Sequence, residues 1–214
     1  MKTDPETNFL SGMIELQYGL DVQEKLKKIS HKISWAKGWP KNNEAFWNGE
    51  AFMWQNKIEK EKRILIEKEI AFLKKEKNLK NLDLGCGAYS YIPSVGFDFS
   101  EKMLQFNDNC TEKVIGDLEK KFHLKSNTFD SVTAIFVLNY IQNCQQLLSE
   151  VRRVMKNNGY FVMVIAEKNV NQWHKQKEIN NYSFSEWTSF LEKNGFIVKS
   201  YIKKGLCFFV NRIK

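Results

Sequence analysis

The sequence predicts an α/β protein with a seven-stranded, mainly parallel sheet, helices on both faces, an antiparallel last strand and an N-terminal helical extension. From residue 79 onward, short apolar runs alternate with amphipathic segments, and strands that alternate with helices pair in parallel. Residues 132–138 and 160–166 are apolar almost without interruption, as in strands buried on both faces. Residues 196–201 and 206–210 lie too close in sequence for a parallel crossover, so we expect them to pair antiparallel.

The N-terminal part is predicted to be a helical extension over residues 1–43, followed by the sheet domain over residues 44–214. Apolar residues recur at helical spacing over residues 22–33, which indicates one apolar helix face. The run GWPKNN at residues 38–43 then breaks the chain. A long amphipathic helix is predicted within residues 44–76.

The sheet domain is predicted to alternate strands with helices. Its apolar runs predict strands over residues 79–84, 95–99, 114–115, 129–138, 160–166, 196–201 and 206–210. Ser100 is a good N-cap for a first helix, with Glu101 in the first turn. A second helix is predicted over residues 144–156, ended by the turn at residues 157–159, and a third over residues 183–194.

The composition is that of a folded protein. Of the 214 residues, 43% are hydrophobic and 14% are aromatic, which excludes a largely disordered chain. No apolar run approaches the roughly 20 residues that a membrane span needs. Asp4, Pro5 and Glu6 stand where a secretory signal would be apolar, so we expect a cytoplasmic protein without membrane contact. The four cysteines are scattered and no histidine lies near a cysteine pair, so we expect neither a disulfide framework nor a bound metal.

The net charge of +8 leaves two interpretations open. Residues 168–214 hold 9 basic and 3 acidic side chains, which could attract an anionic partner such as RNA. Alternatively, the charges are the solvated faces of a lysine-rich sequence. The second interpretation is favoured, because no tight basic cluster and no RNA-binding motif accompany the charge.

The first strand of the sheet domain, residues 79–84, runs directly into the glycine-containing turn GCG at residues 85–87. Glycine lets a ligand approach the backbone closely, and ligands bind open parallel sheets beyond the carboxyl ends of the strands. Asp83, Asp98 and Asp117 stand at the ends of three successive predicted strands. Such carboxylates accept hydrogen bonds from a ribose diol or an amine and repel phosphate. The sequence therefore predicts a nucleoside site without phosphate recognition.

Five segments in order resemble motifs of the class I S-adenosylmethionine-dependent methyltransferases. They are LDLGCG at residues 82–87, VGFDFSEKML at 95–104, GDL at 116–118, FDSV followed by VLNYI within 129–141, and EVRRVMKNNG at 150–159. Each motif alone is weakly specific, but five in this order and spacing are strongly specific. The resemblance spans about residues 44–211. It implies a Rossmann-like fold, S-adenosyl-L-methionine as methyl donor and S-adenosyl-L-homocysteine as product.

The resemblance also implies which residues bind the donor. These are Trp54, Asp83, Gly85, Cys86, Gly87, Asp98, Phe99, Asp117 and Leu118. In this assignment Asp83 orients the methionine amine, Asp98 holds both ribose hydroxyls, and Asp117 accepts from the adenine amino group. Phe99 and the Leu118 backbone lie near the adenine, and the two glycines let the backbone reach the methionine.

The first crossover departs from the family pattern. Where relatives usually carry a glycine two residues after Gly87, this chain has Tyr89. The segment between Gly87 and Asp98 is also short, which predicts a curtailed crossover helix. Both features bear on the shape of the methionine pocket. Residues 46–54 resemble an aromatic segment that closes over the donor, and Trp54 is the candidate for that contact.

Methyl transfer requires alignment and exclusion of water more than it requires a catalytic residue. A base is needed only when the acceptor carries a proton to be removed. Asn139, Tyr140 and His174 are the candidates for the acceptor side, because they follow the fourth and fifth strands.

A small-molecule acceptor is the favoured expectation, covered by a lid from the tryptophan-rich residues 1–54. The alternatives are an RNA (tRNA) methyltransferase, a protein methyltransferase and a non-catalytic relative that acts by binding. The sequence leaves the methylated atom and the oligomeric state open.

Overall fold

The strands form one sheet that positions the carboxylates predicted above. The structure, a computed structural model, describes residues 4–74, 79–167 and 175–214, without the side chains at 55 and 56. The strands are β1 (Asn81–Leu84), β2 (Ser94–Asp98), β3 (Cys110–Ile115), β4 (Phe129–Ile135), β5 (Met155–Ala166), β6 (Phe196–Lys203) and β7 (Leu206–Ile213). Their order is β3-β2-β1-β4-β5-β7-β6. All neighbouring pairs are parallel except the two that involve β7, which confirms the predicted fold class.

Helices cover both faces of this sheet and form the N-terminal region. In the described ranges they are α1 (Pro5–Gln17), α2 (Gln23–Ser30), α3 (Asn43–Glu50), α4 (Trp54–Lys57), α5 (Lys60–Ile70), α6 (Glu101–Phe106), α7 (Cys144–Val154) and α8 (Phe184–Lys193). None of the described helices is long and apolar enough to cross a bilayer.

The single long helix expected within residues 44–76 is wrong, because α3, α4 and α5 are separate helices. The backbone is extended at Ile58, with ψ of 118°, and at Glu59, with ψ of 135°, so α4 ends and α5 starts in a new direction. Trp54 of α4 and Ile66 of α5 are then buried in one apolar cluster against the sheet.

The end of β4 and the start of β3 are among the strand limits that differ from the prediction. β4 ends at Ile135, three residues before the predicted limit, because Phe136 takes a left-handed conformation with φ of 59°. A 3-10 turn, Leu138–Tyr140, follows it. β3 begins at Cys110, four residues before the predicted start, since its first residues pair with β2.

The junction between α7 and β5 also differs from the prediction. α7 ends at Val154, two residues earlier than expected, and β5 begins at Met155. Residues 157–159, expected to end the helix, instead form a bulge in β5. Phe129 and Ser131 of β4 are two residues apart, yet their partners in β5 are five residues apart.

The apolar periodicity of α7 and α8 accounts for one layer of the core. Leu147, Val151 and Val154 recur at spacings of four and three on α7 and are fully buried. Trp187 and Leu191 of α8 join the same cluster on the sheet. Burial of each such side chain stabilises the fold by roughly 1.5–3 kcal/mol.

The N-terminal helices form a third cluster that is tied to the sheet region. Phe9 of α1, Leu26 of α2 and Phe46 of α3 are fully buried in it. The Ser100 hydroxyl, at the start of α6, donates to Asn48 Oδ1 of α3 at 2.7 Å. This buried bond joins the N-terminal helices to the end of β2. The domain boundary at residue 43 stays a prediction.

Glu150 and Arg153 of α7 fasten the long connection between β3 and β4. The Arg153 guanidinium donates to both Glu150 oxygens, at 2.8 and 2.7 Å, and to the carbonyls of Phe122 and Leu124, at 3.0 and 2.8 Å. The Phe122 amide donates to Glu150 Oε2 at 2.7 Å. The hydrogen bond from Arg153 holds the pKa of Glu150 below its ordinary value.

Replacing Arg153 should make the protein less stable to unfolding. We expect Arg153→Met to lower the free energy of unfolding by about 2–4 kcal/mol at pH 7, because Glu150 and two carbonyls lose their donor. Urea denaturation measures this change. The difference from wild type should shrink as the pH falls below 4.5, the ordinary value for Glu150, since the carboxylate is then protonated.

Arg152→Met is the matched control, because among the described residues Arg152 donates a single long hydrogen bond of 3.5 Å, to the Asn194 carbonyl, at the surface. Equal losses in the two variants would contradict the role given to Arg153.

Candidate donor site

A cavity of about 400 Å³ opens at the carboxyl ends of β1 to β4. Gly85 after β1, Asp98 at the end of β2 and Asp117 beyond β3 line it, and Trp47 and Trp54 close it from the N-terminal helices. The strand order reverses at β1, which has β2 on one side and β4 on the other. Open α/β sheets bind ligands at such a reversal.

The turn after β1 needs glycine at two positions. Gly85 and Gly87 have φ of 58° and 57°, a region that other residues avoid. A Cβ at Gly85 would lie 2.8 Å from a Val137 methyl carbon, and a Cβ at Gly87 would lie 2.9 Å from Trp54 Nε1. The structure therefore brings backbone, Val137 and Trp54 together at the floor of the cavity.

Asn107 supports this turn and the short crossover that follows it. It is fully buried, and its amide nitrogen donates to the Gly87 carbonyl and to Ser90 Oγ, both at 3.0 Å. Its oxygen accepts from the Ser90 amide at 3.2 Å. No helix occupies residues 85–93, so the curtailed crossover is confirmed. Sequence reasoning missed Asn107, since an asparagine after a helix is an ordinary end signal.

Asp98 links the glycine turn to the end of β2. Its carboxylate is only 6% exposed and accepts from the Gly87 amide at 3.0 Å and the Ser100 amide at 2.9 Å. Burial raises the pKa of Asp98 to about 6, although these hydrogen bonds act in the opposite direction. Phe99, which follows it, is half-buried and lines the cavity.

Asp83 lies in a buried polar group that crosses the centre of the sheet. The Thr133 hydroxyl of β4 donates to Asp83 at 2.7 Å, and the Asn81 amide donates to that hydroxyl at 3.0 Å. Ser131 donates to the Asn81 oxygen at 2.6 Å. Burial raises the pKa of Asp83 to about 6, with a further contribution from the charge of Asp98. Asp83 is thus held in place by neighbouring strands.

Asp117 and Leu118 lie on the opposite, more open side of the cavity. The Asp117 side chain is 43% exposed, accepts from the Glu119 amide at 2.9 Å and lies 3.3 Å from Lys120 Nζ. Leu118 is buried and contacts the cavity. This wall can meet a flat ring with an exchangeable amino group at its edge.

Trp54 separates this cavity from a smaller space, which we call the niche. The niche measures about 10 Å³ and is lined by Asp83, Cys86, Tyr89 and Tyr91, among others. Trp54 lines both spaces, with its indole nitrogen against Gly87.

The three acceptor-side candidates fall in different places. Tyr140 lines the cavity, with its ring 5.1 Å from that of Trp47 in an edge-to-face contact. Burial raises its pKa, so its phenol stays protonated at neutral pH. The Asn139 carbonyl accepts from the amides of Ile179 and Asn180 at 2.7 and 3.0 Å, which anchors the connection before α8. His174 lies outside the described residues.

A second cavity of about 310 Å³ lies at the carboxyl ends of β4 and β5. Lys57, Ala166, Glu167 and Leu206 line it together with Phe136. Phe136 also lines the first cavity and the niche, so it stands where the three spaces meet. Nothing in the sequence marks Phe136. Its left-handed backbone and the hydrogen bond from its amide to the Val164 carbonyl both depend on the assembled sheet.

Within the described part of the chain, no group of three or more His, Cys, Asp or Glu residues could hold a metal ion.

Comparison with known proteins shows what the stretch around this site is similar to. A family model described as a methyltransferase domain matches residues 82–163, the stretch from β1 into β5. This match supports the resemblance to the class I S-adenosylmethionine-dependent methyltransferases that the five sequence motifs carry. The matched stretch contains the glycine turn, Asp98 and Asp117.

The curated relatives of this chain are distant. An uncharacterized protein of Methanocaldococcus jannaschii is 31% identical over 112 residues, which cover 48% of this chain and 43% of that protein. A demethylmenaquinone methyltransferase of Leptospira interrogans is 27% identical over 190 residues, which cover 79% of this chain and 66% of that enzyme. The chain spans about half the length of the first curated relatives that it matches.

Solved structures share the methyltransferase fold. A chain from the complex between the Haloferax volcanii Trm112 methyltransferase activator and a methyltransferase has a TM-score of 0.65 at 16% identity, covering 78% of this chain and 97% of that one. A SAM-dependent methyltransferase of Aquifex aeolicus has a TM-score of 0.57 at 18% identity, covering 73% and 100%.

Gly87→Ala should destabilise the protein through two separable effects. The left-handed backbone alone costs about 1–2 kcal/mol for a residue with a Cβ, and contact with Trp54 adds to that cost. Gly205→Ala is the control, because Gly205 has φ of 73° and no atom within 4 Å of its Cβ position. In urea denaturation Gly87→Ala should lose more free energy of unfolding than Gly205→Ala. Equal losses of free energy of unfolding in the two variants would mean that the contact with Trp54 adds no cost at Gly87.

Proposed function

We propose that this methyltransferase transfers the methyl group of S-adenosyl-L-methionine to a small-molecule acceptor. The observation that carries the proposal is the buried Asp98 carboxylate, which faces the cavity while the Gly87 amide holds it. A carboxylate kept at a strand end by backbone amides is a ready acceptor for a ribose diol.

The residues around the cavity fit the donor part by part. Asp98 would hold the ribose, Phe99 and Leu118 would flank the adenine, and Asp117 would accept from its amino group. Asp83, which lines the niche, would receive the methionine ammonium. Carboxylates along the rim suit a ligand that has amines and hydroxyls and no phosphate.

The mechanism that we infer depends on aligning the donor with the acceptor and on excluding water from the cavity. When bound, the donor supplies a methyl group on a positively charged sulfur. Trp47, Trp54 and Tyr140 place aromatic rings around the cavity, and such rings exclude water and favour a cationic centre. Tyr140 keeps its proton, so it would orient an acceptor by donating a hydrogen bond.

The second cavity is the proposed acceptor site. Its volume of about 310 Å³ is at the small end of ordinary ligand sites, and it shares Phe136 with the donor cavity. An acceptor there would lie beside the reactive end of the donor. The relation to a demethylmenaquinone methyltransferase also favours a small-molecule acceptor. The N-terminal helices, which carry Trp47 and Trp54, would act as its lid.

RNA is the second candidate acceptor, on account of the basic C-terminal part. Several of those cations already bind groups within the chain. Lys203 binds Glu69 at 2.7 Å, and Arg212 donates to the Tyr160 hydroxyl at 2.6 Å. Affinity for bulk tRNA across a salt series distinguishes the two candidates. Weak binding with a shallow salt dependence would favour the small molecule, and tight binding with a steep dependence would favour RNA.

Asp98→Ala should weaken binding of S-adenosylhomocysteine by about 2–4 kcal/mol, because two ribose hydroxyls lose a buried charged acceptor. Isothermal titration calorimetry measures the affinity. Asp21→Ala, at an exposed position in the N-terminal region, is the control and should bind as wild type does. An unchanged affinity in Asp98→Ala would place the ribose elsewhere. No heat from wild type at millimolar ligand would refute donor binding altogether.

Binding of S-adenosylhomocysteine should release protons near pH 6. Asp83 and Asp98 both have a pKa of about 6, so each is partly protonated there in the free protein. The ammonium and hydroxyls of the ligand favour the ionised carboxylates, so affinity should fall as the pH drops below 6. Calorimetry in two buffers of different ionisation enthalpy detects the released protons. Heats that do not depend on the buffer at pH 6 would contradict this expectation.

A further inference from the structure

Two cysteines that are far apart in the sequence meet in the folded chain beside the glycine turn. Cys86 lies in that turn after β1, and Cys110 is the first residue of β3, on the other side of β2. Both are free thiols. A Cβ added at Gly96 of β2 would collide with the Cys110 sulfur and lie 3.0 Å from the Cys86 sulfur. The two sulfurs are therefore neighbours, in the space that Gly96 leaves by having no side chain.

The two thiols differ in how readily they ionise. The hydrogen bond between them raises the pKa of Cys86 and lowers the pKa of Cys110, the pattern of a donor and its acceptor. Burial and the charge of Asp83 raise the pKa of Cys110, but Ser90, whose Oγ lies 3.7 Å from the sulfur, and Lys113 lower it further. Because the thiolate is the reactive form, Cys110 is the more nucleophilic of the pair.

Exposure to solvent distinguishes the two sulfurs in the same order. Cys86 is only 5% exposed, whereas Cys110 is half-buried on β3, an edge strand of the sheet. A small oxidant therefore reaches Cys110 first, with Cys86 as a protected thiol beside it. Cys144 and Cys207 are buried, and burial raises the pKa of both thiols, so neither shares this combination of exposure and acidity.

We propose that Cys86 and Cys110 are a modification site for hydroperoxides, at which the pair closes to a disulfide that weakens donor binding. The Cys110 thiolate attacks one oxygen of hydrogen peroxide, the O–O bond breaks, and the other oxygen leaves as hydroxide. The Cys86 sulfur then attacks the sulfur of the Cys110 sulfenic acid, the S–O bond breaks, and the oxygen leaves as water with the Cys86 proton. In sum, two thiols are oxidised to one disulfide and the peroxide is reduced to two molecules of water.

The disulfide acts on the donor site through the glycine turn. Cys86 precedes Gly87, whose amide donates to the Asp98 carboxylate at 3.0 Å. The sulfurs of a disulfide are about 2.05 Å apart, much closer than those of two hydrogen-bonded thiols, so closure draws Cys86 towards β3. The Gly87 amide then shifts relative to Asp98, and the niche that Cys86 lines changes shape. This effect on the donor rests on the proposed function, whereas formation of the disulfide does not.

Peptide mapping of the full chain tests the disulfide. Trypsin cleaves after lysine and arginine, so Cys86 and Cys110 fall in separate peptides, residues 81–102 and 103–113. After brief treatment with hydrogen peroxide, we expect these two peptides, joined to each other, as the main oxidation product in the mass spectrum. Dithiothreitol should separate them, and the peptides of the other two cysteines should keep free thiols. Sulfinic or sulfonic acid at Cys110 without the link, or a link between two chains, would overturn the proposal.

Serine variants test the order of the two steps. Cys110→Ser should abolish the link and leave Cys86 reduced, because the buried thiol does not react with peroxide by itself. Cys207→Ser is the matched control and should form the link as wild type does. Oxidation of Cys86 in Cys110→Ser at the wild-type rate would contradict the order proposed. The wild-type map decides whether the disulfide forms even if a serine variant does not fold.

Calorimetry after removal of the peroxide tests the effect on the donor. Oxidised wild type should bind S-adenosylhomocysteine at least about tenfold more weakly than reduced wild type, and dithiothreitol should restore the affinity. Peroxide should not change the affinity of Cys110→Ser. A disulfide that leaves the affinity of wild type unchanged would overturn the coupling to the donor site. If reduced wild type binds no S-adenosylhomocysteine, the proposed function fails and the coupling with it, while the peptide map still decides the disulfide.

Discussion

The hydrogen bond from the Gly87 amide to the buried Asp98 carboxylate is the contact on which the site depends. It joins the turn after β1 to the end of β2. The same carboxylate accepts from the amide of Ser100, and the Ser100 hydroxyl donates to Asn48 of α3. One buried charge therefore aligns the glycine turn, the start of α6 and the N-terminal helices around a single cavity.

A buried carboxylate opposes folding unless hydrogen bonds compensate its lost hydration. Asp98 has backbone amides as partners, and Asp83 has the Thr133 hydroxyl. Burial raises the pKa of both carboxyls to about 6, although these hydrogen bonds act in the opposite direction. The Tyr91 hydroxyl is also buried and has no hydrogen-bond partner. These groups line the cavity and the niche, where burial of polar atoms opposes folding.

The motifs at strand ends could be predicted from the sequence because their signals are local. A short apolar run followed by glycine marks the end of a strand, and an acidic residue at the end of the next strand lies at the same edge of a parallel sheet. Gly85, Asp98, Asp117 and the antiparallel β7 follow from such patterns. The predicted helix over residues 44–76 is wrong because sequence signals are local. An amphipathic pattern does not reveal where packing against the sheet requires a break in the helix.

The sequence by itself determined the α/β class, the order of the strands along the chain and the carboxylates at their ends. Tertiary structure alone decided that Asn107 holds the glycine turn, that Phe136 takes a left-handed backbone between the cavities, and that Tyr91 is buried without a partner. The physical reason is distance along the chain. Strand and turn signals come from residues next to one another, whereas burial, strain and hydrogen-bond pairing depend on side chains that only the assembled sheet brings into contact.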